Sequence, residues 1–71
     1  MSDTVRIEYM MLSEQGIVIM NWTTAQGGVE NNPQIYVPRA LDVKRSLSPN
    51  PSTSRVRVIS EQTNRIVDMF P

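Results

Sequence analysis

Fourteen of the 71 residues are Val or Ile, against five Ala or Leu and a single Lys. That choice constrains the fold more than any other feature of the chain. Helix-building sequences draw on Ala, Leu, Lys and Glu, whose side chains lose little rotamer freedom in a helix. Branched side chains are stiff at the first torsion and pack better on a pleated surface. The sequence therefore predicts an all-β domain: a small, mostly antiparallel sheet of about five strands, built from two hairpins and a short middle strand, with room for one short helical turn. A single domain over residues 1–71 is all the length accommodates.

Alternation places the strands. From Thr4 to Leu12, Val5, Ile7, Tyr9 and Met11 point one way, and Arg6 and Glu8 point the other. Ser13-Glu14-Gln15-Gly16 reads as a turn, with Gly where a positive φ is often required. Ile17 to Trp22 is almost wholly apolar. As a strand it sets Ile17 and Ile19 on one face and Val18, Met20 and Trp22 on the other, and so asks for cover on both sides. Residues 23–33 (TTAQGGVENNP) read as a long exposed loop. Its Gly27-Gly28 pair lacks both a following Lys-Ser/Thr and the spacing of a phosphate cradle.

Gln34 to Val37 reads as a short strand stopped by Pro38. Residues 39–47 admit two readings. Ala40, Val43 and Leu47 share a helical face with Pro38 in the first turn, while Leu41 and Val43 alternate as in a strand, and the strand is preferred. Residues 48–54, with two Pro and four hydroxyl side chains, read as a loop. Residues 55–59 and 65–70 form a terminal hairpin, with Asn64 suited to a left-handed turn position.

The segment VRVISEQTNRIVDMFP, Val56 to Pro71, resembles the C-terminal hairpin of the flagellar FlaG family. Val56, Val58 and Ile59, then Thr63-Asn64, Ile66-Val67 and Pro71 occupy that family's positions without a gap. The resemblance implies a hairpin here and, by extension, a flagellar role. It covers under a quarter of the chain: the first forty residues have no counterpart, and the chain stops where the family continues.

Composition excludes much chemistry. There is no Cys and no His, so disulfides, thiolate catalysis, the common zinc sites and imidazole acid–base relays are out of reach. The carboxylates Asp3, Glu8, Glu14, Glu30, Asp42, Glu61 and Asp68 sit beside turns or on polar strand faces and read as solvated charges. Lys44 is the only lysine that could activate a Ser. No catalytic residue, metal ligand or cofactor is expected, and the chain is not expected to be an enzyme. No apolar run approaches the ~20 residues of a membrane helix, and the first residues lack the order of a secretion signal. The expected location is the cytoplasm or an assembled particle, and no membrane insertion is foreseen.

What remains is interaction. A chain this short buries only about 60% of the surface its unfolded form exposes, and below roughly 70–80 residues one core seldom supplies more than ~3–5 kcal/mol. With no covalent or histidine–cysteine metal staple available, self-association or docking on a partner is the remaining source of stability. The sequence thus points to a non-catalytic protein-binding module, either a self-assembling structural component or a small accessory or inhibitor subunit of the phage or bacterial kind. Met10, Met20, Trp22 and Tyr36 are its candidate protein-interface residues.

The charge is zero overall but unevenly placed. Residues 1–36 carry one basic and four acidic side chains, residues 37–71 six basic and three acidic. Arg39, Lys44, Arg45, Arg55, Arg57 and Arg65 therefore form a candidate contact set for nucleic acid or an acidic partner, with Arg55 and Arg57 on one face and Arg65 across from them. A nucleic-acid-binding β module is the alternative function. Against it, no aromatic residue is interleaved with these arginines along the sequence.

Overall fold

The structure, a computed structural model, describes residues 3–47 and 54–70. Its elements are β1 (Thr4–Leu12), β2 (Val18–Glu30), α1 (Pro33–Ser46), β3 (Ser54–Ser60) and β4 (Ile66–Phe70). The four strands make one antiparallel sheet in the order β2-β1-β3-β4. The fold is thus mostly β, as expected, with four strands and a full helix in place of about five strands. No described helix is long and apolar enough to cross a membrane.

The first hairpin forms where alternation places it. Gly16 takes φ +82°, and the turn closes through Gly16 N–H to Ser13 C=O (2.9 Å) and Ser13 N–H to Ile17 C=O (2.7 Å). The terminal hairpin also forms, with Asn64 at φ 58°. Asn tolerates that region because its short polar side chain bonds locally.

Two expectations are corrected. Residues 34–37 and 39–46 are neither a short strand nor a second one: they lie in α1, and Leu47 is its C-cap. Asn32 accepts from Gln34 N–H through Oδ1 (3.0 Å) and caps the helix, while Pro33 takes the first helical position, where its missing N–H costs nothing. Tyr36, Ala40 and Val43 recur at helical spacing and are buried against the sheet. Pro38 lies inside the helix and removes one backbone bond without ending it.

The second correction concerns residues 23–30, which continue β2 rather than forming a loop. β1 has nine residues and β2 thirteen, and the pairing shifts four times between them. Each shift leaves one extra residue on β2. Ile19 is surplus between Met20 and Val18, Asn21 and Trp22 together oppose Met10, Ala25 is surplus between Gln26 and Thr24, and Gly27 and Gly28 together oppose Arg6. These are β-bulges, and each one resets the period-2 alternation. Directly opposed residues share a face, so Met20 lies with Met11 while Val18 lies with Leu12. The expected grouping of Val18, Met20 and Trp22 on one face is broken by the bulges.

The core sits between α1 and one face of the sheet: Val5, Ile7, Val29, Tyr36, Ala40, Val43, Val56 and Val58, flanked by Tyr9, Ile35, Val37, Leu47 and Phe70. The Tyr36 hydroxyl donates to Asp68 Oδ2 at 3.4 Å, a long contact. Of the loop expected over residues 48–54, all but Ser54 lies outside the described residues, and Ser54 opens β3.

Candidate interaction surface

Among the described residues, no second layer covers the other face of the sheet. The alternation that sends Val5, Ile7 and Tyr9 to the helix sends Arg6, Glu8 and Met10 to this open face. On β3, Arg55, Arg57 and Ile59 follow suit, because Arg6 opposes Ile59, Glu8 opposes Arg57 and Met10 opposes Arg55. β4 adds Ile66 beside Ile59 and Met69 beside Arg57.

Glu8 organises the centre. Its Oε2 accepts from Arg6 Nε at 3.0 Å and its Oε1 from Arg57 Nε at 2.7 Å, and Glu8 is only 8% exposed. Burial pushes its carboxyl pKa up, but the hydrogen bonds and charges of Arg6 and Arg57 outweigh burial and hold it below the ordinary value. Arg6 also donates from Nη1 to Asn64 Oδ1 at 3.1 Å, tying the β3–β4 turn to the face. The Arg57 guanidinium carbon stands 4.0 Å from the centroid of the Trp22 ring. Arg57 belongs to β3 and Trp22 to β2, with β1 between them, so the arginine side chain lies across β1. Strands are spaced about 4.8 Å apart, and only a side chain of this length bridges two such intervals. A cation over an indole face adds about 0.5–2 kcal/mol, depending on how dry the contact is.

Beyond this face, the first hairpin projects. Among the described residues, the pairing of β3 with β1 ends at Met11 opposite Ser54, and the chain from Leu12 to Met20 runs on beyond it as an arm. The molecule accordingly measures 42 × 20 × 15 Å. Ile17, Val18, Ile19 and Met20 on the arm are 66%, 50%, 67% and 41% exposed. Ile66, Val67 and Met69 on β4 are the other exposed large apolar residues of the sheet.

The residues expected at a protein interface therefore divide. Met10 and Trp22 lie half-buried on the open face, and Met20 is exposed on the arm. Tyr36 is corrected: at 3% exposure it belongs to the core, where burial first and the Asp68 carboxylate second raise its pKa. The basic set does not come together. Arg39, Lys44 and Arg45 are on α1, on the far side of the sheet from Arg55 and Arg57, and Arg45 is paired with Asp42. Arg65 lies in the β3–β4 turn, where its C=O accepts from Ser60 N–H.

Two further readings need correction. Glu8 is a buried, doubly paired carboxylate rather than a solvated charge, and an aromatic residue is matched with an arginine after all, in space rather than in sequence. The signal for Glu8 was present. An Arg-x-Glu strand and an Arg-x-Arg strand that pair antiparallel leave one acid among three bases. Nothing local announced Trp22 and Arg57, which are brought together by a bulge.

Among the described residues, no buried side-chain nitrogen or oxygen lacks a hydrogen-bond partner. No group of three or more acidic residues stands ready for a metal ion among them. No family model matches the chain, and neither a curated protein nor a solved structure matches it.

Proposed function

We propose that the chain is a non-catalytic protein-binding module, a self-assembling structural component or small accessory subunit, that works through the open sheet face and the hairpin arm. The observation that carries this reading is the placement of its exposed apolar side chains. Four of them lie in sequence on the projecting arm, at 41–67% exposure, where no other described element packs. Soluble monomers rarely keep a contiguous apolar patch without a use for it.

The electrostatics of the open face favour a protein partner over nucleic acid. Arg6 and Arg57 are both committed to Glu8, and Arg57 is also stacked on the one aromatic ring of that face. A nucleic-acid groove would need those charges for phosphate contacts. The cytoplasm, or a particle assembled there, is the setting proposed for this role.

A photo-reactive residue at Ile19, introduced in cells that make the protein, tests the reading against the same residue at Gln34 on the exposed side of α1. Protein adducts specific to Ile19 are expected. Their absence from Ile17, Ile19 and Met69 alike overturns the reading. Binding to mixed-sequence DNA and RNA is measured in parallel. A tight, steeply salt-dependent complex that is lost in Arg55→Ala would put nucleic acid in the partner's place.

A further inference from the structure

We infer that Arg57 and Glu61 lock the register of β2, each reaching over β1 to fasten one of its four bulges. The lock holds whatever partner the open face meets, and it fixes which way the apolar side chains of the arm are turned.

The pairing of β1 with β2 leaves that register open. Its two ends are settled. Val29 opposes Val5 in the core, where they are 2% and 0% exposed, and the turn closed between Ser13 and Ile17 brings Val18 opposite Leu12. Between these ends β2 has twelve residues, 18–29, and β1 has eight, 5–12. The four surplus residues must be taken up as bulges, but neither end says where. Burial does not say either, because none of Thr23, Thr24, Ala25, Gln26, Gly27 and Gly28 is buried. A strand that is polar on both sides or rich in glycine specifies its register weakly.

Two contacts supply what the ladder lacks. Arg57, opposite Glu8, crosses β1 and sets its guanidinium carbon 4.0 Å from the Trp22 ring centroid, at the bulge where Asn21 and Trp22 together oppose Met10. Glu61, the residue after β3, crosses β1 on the same face. Its Oε1 accepts from Gly28 N–H at 2.8 Å, at the bulge where Gly27 and Gly28 together oppose Arg6. Its Oε2 lies over the other glycine, 3.7 Å from where a Cβ at Gly27 would stand. Both straps are tied to β1 before they reach β2. Arg57 Nε donates to Glu8 Oε1 at 2.7 Å, Glu61 N–H donates to Thr4 C=O at 3.0 Å, and Gln62 Oε1 accepts from Thr4 N–H at 3.1 Å. A bulge disrupts the ladder locally and re-aims a side chain. An indole face and a backbone N–H at two such points are what the straps hold. With Trp22 and Gly28 held, one surplus residue is confined to each stretch they bound: Ile19 between the turn and Trp22, and Ala25 between Trp22 and Gly28.

The test is the amide spectrum and the cross-strand proton contacts of the full, isotope-labelled chain. Trp22→Leu removes one strap and leaves Glu8 both its arginines. Glu61→Ala removes the other, and Glu61→Gln keeps an acceptor oxygen. Far-UV circular dichroism in urea establishes that each variant is folded. The native chain and Glu61→Gln should show one set of amide signals, with Tyr9 against Thr23 and Ile7 against Gln26. In the double variant Trp22→Leu with Glu61→Ala, a second set for residues 19–28 should reach about a tenth of the population or more, while Val5 stays against Val29 and β3 against β1. One set of signals with both contacts intact in the double variant overturns the lock. If the double variant does not fold, the single ones decide. Trp22→Leu should loosen the contact of Tyr9 with Thr23 and Glu61→Ala that of Ile7 with Gln26, and single variants that keep both contacts as in the native chain overturn it. A Glu61→Gln chain that slips as far as Glu61→Ala overturns the strap from Glu61.

Discussion

Glu8 is where a single side chain decides most. Two arginines, Arg6 on β1 and Arg57 on β3, hold its charge in a nearly buried position, so removing that charge leaves both guanidinium groups without their shared counter-charge. Glu8→Gln is expected to cost about 1.5–3 kcal/mol in urea denaturation, the range for a hydrogen bond to a charged group. The pH dependence follows from the depressed carboxyl pKa. Above the unfolded value near ~4.3 the folded form keeps the full benefit, and as pH falls through the lower folded value that benefit is lost. A plot of urea midpoint against pH should fall on the acid side in the native chain and lie flatter in Glu8→Gln. Tyr36 acts at the other end of the scale. Its raised pKa keeps the folded hydroxyl protonated while the unfolded one ionises above pH ~10, so stability declines as pH rises through the folded value. Tyr36→Phe keeps the ring and should abolish that alkaline slope. In the core, Ile7→Val should cost about 1 kcal/mol and Ile7→Ala about 2–5, and the larger loss rivals the whole margin of a domain this size.

Among the elements, α1 and β2 depart most from what the sequence suggests, for opposite reasons. Residues 33–46 contain Ile35, Val37, Val43 and Pro38, poor helix formers by propensity. A cap at Asn32, Pro33 at the first position and a buried stripe through Tyr36, Ala40 and Val43 outweigh that propensity, because the helix is held by packing on the sheet. The stripe of Ala40, Val43 and Leu47 was visible, but alternation through Leu41 and Val43 competed with it. Asn32→Ala should therefore cost about 1 kcal/mol. Pro38→Ala should stabilise the protein by about 1–2 kcal/mol, since it restores a backbone bond to Gln34 and concedes only some unfolded-state entropy. Thermal unfolding of the two variants should shift in opposite directions. In β2 the propensity was adequate and the period was the problem. A strand with four bulges never alternates for long enough to be recognised, and Gly27-Gly28 looks like a loop when it is a kink in a ladder. Gly28 has φ +64° and gives its N–H to Glu61 Oε1 at 2.8 Å. β1, β3 and β4, with one shift among their pairings, were legible almost to the residue.

For the whole molecule, residue choice pointed to a mostly β fold, which the four-stranded sheet bears out. A run apolar on both faces was expected to need cover on both sides, and Ile17 to Met20 are 41–67% exposed in the described fold. The composition of the open face was less legible. Its basic residues were grouped by their place along the chain, whereas α1 carries three of them to the other side of the sheet and Glu8 claims Arg57. Because Ile17 and Ile19 are 66% and 67% exposed, Ile17→Ser and Ile19→Ser should change folding stability by no more than about 0.5 kcal/mol, measured by the fluorescence of Trp22, the one tryptophan, during urea unfolding. A loss comparable to that of a core residue would mean that the arm contributes to the fold itself.

The bulges of β2 also determine how this chain can change in length. A residue lost at Ile19 or Ala25 takes a bulge with it and leaves every remaining pair in register and on its own face. β3 has no such slack. It runs from Ser54 to Ser60 against β1 without one shift, so a residue lost within it would turn the positions on one side of the gap over, bringing arginine toward the core and valine to the open face. Single-residue insertions and deletions should therefore accumulate along β2 and be purged from β3, and the edge strand that looks least regular is the one in which the lineage of this chain has most freedom.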